Sequence, residues 1–272
     1  MILHHYRVFA RDVRSGNTAT VVDVGGDVGA DALQAIAAGA PSLTTVFVTG
    51  TRLRFFTATA EMSLCAHGLL AAARHVLAAQ GAAEATVTIG DRVIPVWRDG
   101  DTVAMEAGRY VERALPVPAA ELRDALGVDD AGRAVAPELP SCVGSIGSPK
   151  FLIPIASRAA LLAARIDLDR LRALGRAHAV NGVYAYSRDA EAPTAIACAR
   201  GSNPSAGVVE DPATGIAAGA LCAALAARGL GRNPYVVEQG DAVGQRNAIH
   251  VTVDAGLVRV GGRVDSTGSD ST

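Results

Sequence analysis

Cysteine is scarce in this chain: Cys65, Cys142, Cys198 and Cys222 are the four, and no two form a CxxC pair. That argues against a structural metal and, in a chain of 272 residues, against a disulfide framework. The histidines (His4, His5, His67, His75, His178 and His250) are scattered, and no pair has the spacing of a zinc helix or finger. Charged residues make up only 19% and the net charge is −2, so no field of one sign marks the chain for nucleic acid or an anionic membrane. The most apolar helical run, Gly215–Ala227, is shorter than the ~20 residues that span a bilayer. The opening Met1–Tyr6 is short and polar, unlike a signal peptide. These absences point to a soluble, cytoplasmic protein.

What is present is core. Half of the residues are hydrophobic, enough for one large domain or two ordinary ones. Strand-like and helix-like stretches alternate. Tyr6–Phe9 and Thr18–Val24 read as strands around a Gly16-Asn17 turn, and Thr45–Thr49 with Leu53–Thr57 as a hairpin. Leu69–Ala79 reads as a strong helix ended by Gly81. Short strands follow to Glu106. Leu115-Pro116-Val117-Pro118 breaks the pattern and is the best linker. The same style then repeats, with a second strong helix, Ile216–Ala227, closed by Arg228-Gly229. The expected halves are residues 1–115, completed by a C-terminal strand near 258–272, and residues 116–257.

The two strong helices resemble each other, and so do the segments before them. Glu61 precedes Cys65 and Ala66-His67-Gly68; Glu210 precedes Asp211-Pro212 and Ala213-Thr214-Gly215. Each helix is apolar on nearly every face and is therefore buried. An Ala-rich buried helix among short strands implies a small barrel or curled sheet wrapped around it. Polar residues then collect at the helix N-termini, where the leading N–H groups lack intrahelical partners and the dipole is positive. The expectation is an α/β fold of two pseudo-symmetric halves, each a curled mixed sheet around a central helix, facing each other across a cleft. Two such helix starts suit a carboxylate or a developing oxyanion.

Both segments have an ordinary reading beside the chemical one. A thiol at a helix N-terminus can be held as thiolate, and His67 is placed to exchange a proton with it. Equally, Cys65 can be a small core residue and His67 a hydrogen-bonded one. Asp211 before Pro212 is a good helix cap whatever else it does. Cys222, in the second helix, reads as core.

Glu210-Asp211-Pro212-Ala213-Thr214-Gly215 is the EDPATG signature of a known family. Arg200 and Pro204 precede it in that family's R-x-x-x-P pattern, followed by Gly207. Arg54-Phe55-Phe56-Thr57 with Glu61 and His67, the Gly16-Asn17 pair, Gly147-Ser148-Pro149 before Phe151–Pro154, and Gly182-Val183-Tyr184 match further family elements in order. The chain thus resembles the phenazine-biosynthesis isomerase-like family, of the diaminopimelate epimerase-like fold. The resemblance implies two halves with catalysis between them, no metal or cofactor, a homodimer, and a proton or double-bond shift in a small carboxylate, often in antibiotic or pigment pathways. It maps His67 and Asp211 to polar active-site residues. The substrate-binding positions it implies are Asn17, Ala66, Gly68, Thr214, and Gly215 with Ile216, whose amides hold a substrate carboxylate.

The departures are specific. The family's acid–base glutamate, in a Ser-Glu-Thr-x-Phe element, falls on Thr44, whose hydroxyl cannot shuttle protons as a carboxylate does. Ala66 replaces a glycine, and Ile216 replaces a serine. Cys65 falls where cysteine-dependent racemases of the wider fold keep one thiol, but the position of the second is near Pro212. Cys65, or Asp211 with His67 as helper, is the expected proton carrier. The alternatives are a one-thiol epimerase and a non-catalytic carboxylate binder.

Overall fold

The computed structural model describes residues 1–12, 15–128 and 134–271. The chain separates into two compact units: Met1–Glu106 with Gly261–Thr272, and Ala107–Val260. Residue 272, the last of the expected C-terminal strand, lies outside the described residues.

The first unit holds β1 (Ile2–Val8), β2 (Asn17–Asp23), α1 (Ala30–Gly39), β3 (Thr44–Thr49), β4 (Arg52–Phe56), β5 (Glu61–Met62), α2 (Ala66–Gln80), β6 (Glu84–Ile89), β7 (Arg92–Asp99) and most of β8 (Thr102–Arg109). The second holds β9 (Val111–Ala114), α3 (Ala119–Ala125), β10 (Cys142–Ser145), β11 (Lys150–Pro154), α4 (Arg158–Ala163), α5 (Leu168–His178), β12 (Val183–Ser187), β13 (Ala197–Asn203) and β14 (Val208–Asp211). It continues through α6 (Gly215–Ala227), β15 (Tyr235–Gln239), β16 (Asn247–Asp254) and the start of β17 (Leu257–Ser271), whose remainder returns to the first unit. The Pro116 segment joins β9 to α3 within the second unit; the unit boundaries fall inside β8 and β17.

In the first unit, pairing runs β1–β2–β3–β4–β6–β7–β8–β17 and back to β1, closing eight strands into a barrel. Closure leaves no free edge. α2 packs against β1, β2, β3, β4, β6 and β7, so it fills the barrel. Period-2 alternation sorts the strand residues into faces. Leu3, Val22, Val24, Phe47 and Phe56 point outward and are covered by Leu33 and Ala37 of α1. Their neighbours in sequence point inward at α2.

The second unit repeats this order. β2–α1–β3 is a parallel crossover, as is β11–α4–α5–β12. β4–α2–β6 is matched by β13–α6–β15. A two-residue β5 precedes α2, and the short β14 precedes α6. The outer layer here is α3, α4 and α5, which cover Phe151, Ile153, Val183, Ala185 and Cys198. α6 lies on the other face, against β10 and β16, and carries no charged residue. Its Gly219 allows close packing: a Cβ there would stand 2.6 Å from Ile146 Cδ1 and 3.0 Å from Val260 Cγ2.

Two sequence expectations change. Gly16-Asn17 is not a two-residue hairpin turn, because the connection runs from Phe9 to Gly16 and Asn17 already pairs with Val8. The expected strand at Val258–Val260 is the start of a 15-residue one, β17. Its polar second half, Asp265–Ser271, has no strand-like apolar pattern; pairing with β1 extends it.

Each central helix is introduced by a clasped pair of opposite charges. Arg54 on β4 holds Glu61 on β5 in two bonds of 2.8 Å, both partly exposed. Arg200 on β13 holds Glu210 on β14 through Nη2–Oε2 at 2.8 Å and Nε–Oε1 at 3.1 Å. This second pair is largely shielded from solvent, with side chains 12% and 7% exposed, and Arg200 Nη1 also donates to the carbonyls of Leu161 and Ala164 at the end of α4. The glutamate of the EDPATG segment is thus spent on structure. Removing one member of a buried pair strands the other charge and costs about 3–5 kcal/mol, whereas an exposed pair contributes about 0–1. Thermal unfolding of Glu210→Ala is therefore expected to show a fall of roughly ten degrees or more, while Glu61→Ala changes the midpoint by no more than a few.

Candidate active site

In the first unit the polar cluster forms where α2 begins. Cys65 is the N-cap residue, extended at φ −137 and ψ 116, and its carbonyl accepts from Leu69 N at 2.8 Å. Sγ stands 3.2 Å from His67 Nδ1 and 3.5 Å from Thr44 Oγ1. Burial works against a thiolate here. The charge and hydrogen bond of His67, the Thr44 hydroxyl and the Gly68 backbone together overcome it, and the thiol sits below its ordinary value. The other three cysteines go the opposite way: burial pushes Cys142 up to about 11 and Cys198 up to about 12, and raises Cys222 as well.

Thr44 is buried at the start of β3 and faces inward. A Cβ on Gly68 would stand 3.0 Å from Val46 Cγ2 and 3.1 Å from Thr44 Cγ2, so the helix start is seated directly on that strand. Asn17 is the first inward-facing residue of β2, two positions before Ala19, the parallel partner of Thr44. It is 1% exposed, and its Oδ1 has no hydrogen-bond partner. A buried acceptor without a donor is costly in a protein that binds nothing. Gly16, at φ +105, delivers Asn17 there; a Cβ would meet Arg7 Cβ at 3.0 Å and Val8 O at 3.2 Å. The structure thus brings Thr44, Cys65, His67 and Gly68 together, with Ala66 in the same first turn and Asn17 on the same inward face.

In the second unit the corresponding start belongs to α6. Asp211 Oδ2 accepts from the Thr214 hydroxyl at 3.0 Å, and Oδ1 from Ala213 N at 3.2 Å. Gln239 on β15 uses its whole side-chain amide on this turn. Oε1 accepts from Thr214 N at 3.0 Å and from Tyr184 OH at 2.9 Å; Nε2 donates to Asp211 O at 2.6 Å and Thr214 Oγ1 at 2.9 Å. Asn247 on β16 donates to Pro212 O at 2.8 Å. Gly201 lets the turn approach β13, since a Cβ there would stand 2.5 Å from Thr214 Oγ1. Thr214 is the N-cap residue but caps nothing with its side chain, and Gly215 and Ile216 open the helix with their backbone N–H groups outside its hydrogen-bond ladder. Ile216 is half-buried and apolar.

Sequence reasoning missed Gln239 and Asn247, which clamp the EDPATG turn from strands downstream, and it missed Lys150. Lys150 opens β11 as Asn17 opens β2, on the face opposite to the outward Phe151 and Ile153. It is 4% exposed and donates from Nζ to Asn181 O at 3.1 Å. Burial pulls its ammonium down to about 8, against the opposing pull of the Asp211 carboxylate. The signal was a lysine directly before an apolar strand, in the place that a Gly-Asn pair holds in the first half.

Comparison with known proteins follows the same lines. A family model described as phenazine biosynthesis-like protein matches residues 6–269. An uncharacterized isomerase of Deinococcus radiodurans is 32% identical, over 90% of this chain and 84% of its own length. An uncharacterized isomerase of Escherichia coli K12 is 27% identical, over 92% and 89%. Among solved structures, a PhzF-family phenazine biosynthesis protein of Bacillus anthracis superposes with a TM-score of 0.84 at 21% identity, covering 99% of this chain and 98% of that one. A predicted epimerase of Pseudomonas aeruginosa gives 0.76 at 26% identity, covering 100% and 98%. With the EDPATG turn, the barrel around α2 and a match over nearly its whole length, the chain belongs to the phenazine biosynthesis-like, or PhzC-PhzF, family.

Proposed function

We propose that this protein is a cofactor-independent isomerase that moves a proton, and with it a double bond, within a small unsaturated or cyclic amino or carboxylic acid, using the Cys65 thiolate as its base. The observation that carries the reading is the placement of Cys65 Sγ, 3.2 Å from His67 Nδ1 and 3.5 Å from the Thr44 hydroxyl at the start of α2. Thr44 stands where the family's carboxylate would, and the group it touches is a thiol with a lowered pKa. The proton-carrying role moves from a carboxylate to that sulfur. Asp211 is the weaker candidate base, because both of its oxygens accept hydrogen bonds within its own turn.

The steps balance without an external reagent. His67 takes the thiol proton, leaving a thiolate beside an imidazolium. The thiolate removes a proton from carbon next to, or conjugated with, the substrate carboxylate. The electron pair enters the conjugated system as a dienolate-like anion, and the proton returns to a different carbon. Backbone N–H groups at a helix start stabilise such an anion at little reorganisation cost. The unpartnered Oδ1 of Asn17 accepts from a substrate N–H or O–H. In the second unit, the buried Lys150 ammonium suits a carboxylate. The family's description supports a place in specialised-metabolite biosynthesis of the antibiotic type.

A one-thiol epimerase is the second reading, favoured by the same sulfur. By the resemblance a second thiol would fall near Pro212, where no cysteine stands, and this leaves one base acting on one face. The two readings part in the product: a shifted double bond, or an inverted centre with the double bonds unchanged.

Incubation with a panel of dienoic and cyclic imino acids in heavy water should give carbon-bound deuterium, followed by NMR. Cys65→Ala should lose about 10²–10⁴-fold of the exchange rate, the usual contribution of a positioned base. Exchange that survives Cys65→Ala and vanishes in Asp211→Asn would move the base to Asp211. No exchange with any substrate in wild type would leave the carboxylate-binding reading standing instead.

Lys150 gives a separate test. It is cationic below its pKa, and that pKa is depressed to about 8. Carboxylate affinity, measured by competition with simple carboxylates, should hold at pH 6–7 and fall as the pH rises through about 8. Lys150→Arg should keep affinity past pH 9, and Lys150→Met should lower it at every pH.

A further inference from the structure

A second constellation lies two turns along α2 from His67, about 12 Å up the helix at 1.5 Å per residue. His75 of α2 meets His4 of β1 and Asp23 of β2. His4 pairs directly with Val21, and Val21 alternates onto the same inward face as Asp23, so both side chains point toward α2. One ligand atom from each of the three, two ring nitrogens and a carboxylate oxygen, lie within 4.8 Å of one another. His75 Nε2 is 2.7 Å from Asp23 Oδ2, and the two imidazoles approach with ring centroids 4.6 Å apart. The neighbouring His5 points to the other face, toward Thr20 Oγ1 and Asp270 Oδ2.

We propose that His4, Asp23 and His75 form a binding site for a divalent transition-metal ion of the zinc type. Three features of the geometry favour a metal over a plain hydrogen-bond chain. The donor set is two imidazoles and a carboxylate, which suits zinc, cobalt, nickel or copper and not magnesium or calcium. Bonds of about 2.0–2.1 Å to a tetrahedral ion place ligand atoms roughly 3.3–3.5 Å apart, so side-chain rotations that widen the 2.7 Å His75–Asp23 edge would fit the three atoms around one ion. Asp23 accepts from His75 Nε2 while no ion is bound, and Tyr6 OH, 3.1 Å from His75 Nδ1, is placed to accept the Nδ1 proton once an ion takes the Nε2 lone pair. Such a second partner is what fixes the tautomer of metal-bound histidines. Asp23 is 62% exposed and His75 12%, so an ion enters from solvent and the fourth position takes water. The three ligands come from two barrel strands and the central helix, so the ion would tie α2 to the barrel wall. This role is structural and independent of the chemistry proposed at Cys65.

The test uses the full, tag-free chain after treatment with EDTA. Titration with Zn²⁺ by calorimetry should show one ion per chain, and Zn²⁺ should raise the melting temperature. Co²⁺ should give visible ligand-field bands of a tetrahedral site without a strong thiolate-to-metal band in the near ultraviolet. His4→Ala and Asp23→Asn should each weaken binding at least tenfold, and His75→Gln should abolish it. Asp23→Asn lies at the surface and should fold even if His75→Gln does not. His5→Ala and Cys65→Ser should bind as wild type does. Absence of stoichiometric binding would overturn the proposal and leave the Tyr6–His75–Asp23 contacts as a hydrogen-bond chain. Binding unaffected by His4→Ala and Asp23→Asn, or a thiolate band lost in Cys65→Ser, would overturn it equally, by placing the ion elsewhere.

Discussion

A helix enclosed by strands can carry polar chemistry only at its ends. α6 is buried along nearly its whole length, and α2 from Gly68 to Ala73. Any charged group on those stretches would be stranded in a low-dielectric interior. The first turn is different, because three or four backbone N–H groups there are unpaired by construction and pull negative charge toward them. Each half of this protein therefore concentrates its polar residues at one place, and the surrounding strands are shaped to bring partners to it. Gly68 and Gly201 serve that end from opposite sides of the contact, one on the helix and one on the strand, each leaving room where a Cβ would collide.

The repeated Arg–Glu clasp follows from the same constraint. A helix that starts inside a sheet needs its incoming chain held close to the wall, and β5 and β14 are too short to do that through backbone pairing alone. A guanidinium on the preceding strand, gripping a carboxylate on the short one, supplies the missing grip. Exposure separates the two copies. The Arg54–Glu61 pair faces solvent, while Arg200–Glu210 is largely shielded from it and also satisfies carbonyls at the end of α4. The second half leans harder on its clasp, and on Gln239, whose amide is fully committed to the Asp211–Thr214 turn.

Within that shared frame the two helix starts differ in chemistry. The first has a thiol flanked by an imidazole and a hydroxyl, and those partners outweigh burial and hold the thiol below its ordinary pKa. The second has a carboxylate tied into its own turn and a lysine whose charge burial weakens. Thr44 has no acid–base capacity of its own near neutral pH, but its hydroxyl contacts Cys65 and helps hold that thiol's pKa down.

Much of this was legible in the sequence, because it depends on local pattern. Alternating strands and two apolar helices with polar starts are each set by residues close together in the chain, where periodicity and helix-end chemistry act directly; the EDPATG signature and the expected departure at Thr44 were legible only through the family resemblance. The residues that sequence reasoning missed are distant from their partners. Gln239 is 25 residues from Thr214 and Asn247 is 35 from Pro212, and a buried glutamine or asparagine has no local signature until the strand that carries it is placed. Lys150 looks like any surface lysine until β11 turns it inward. The scattered histidines likewise excluded a metal motif by spacing, yet the barrel brings His4 and Asp23 to His75 from 71 and 52 positions away. The sequence by itself determined the elements and the chemistry at each helix start, since those follow from neighbours along the chain. Only the closed barrel decided which distant side chains are desolvated and paired, because burial and hydrogen-bond geometry belong to the packed strands and not to any segment alone.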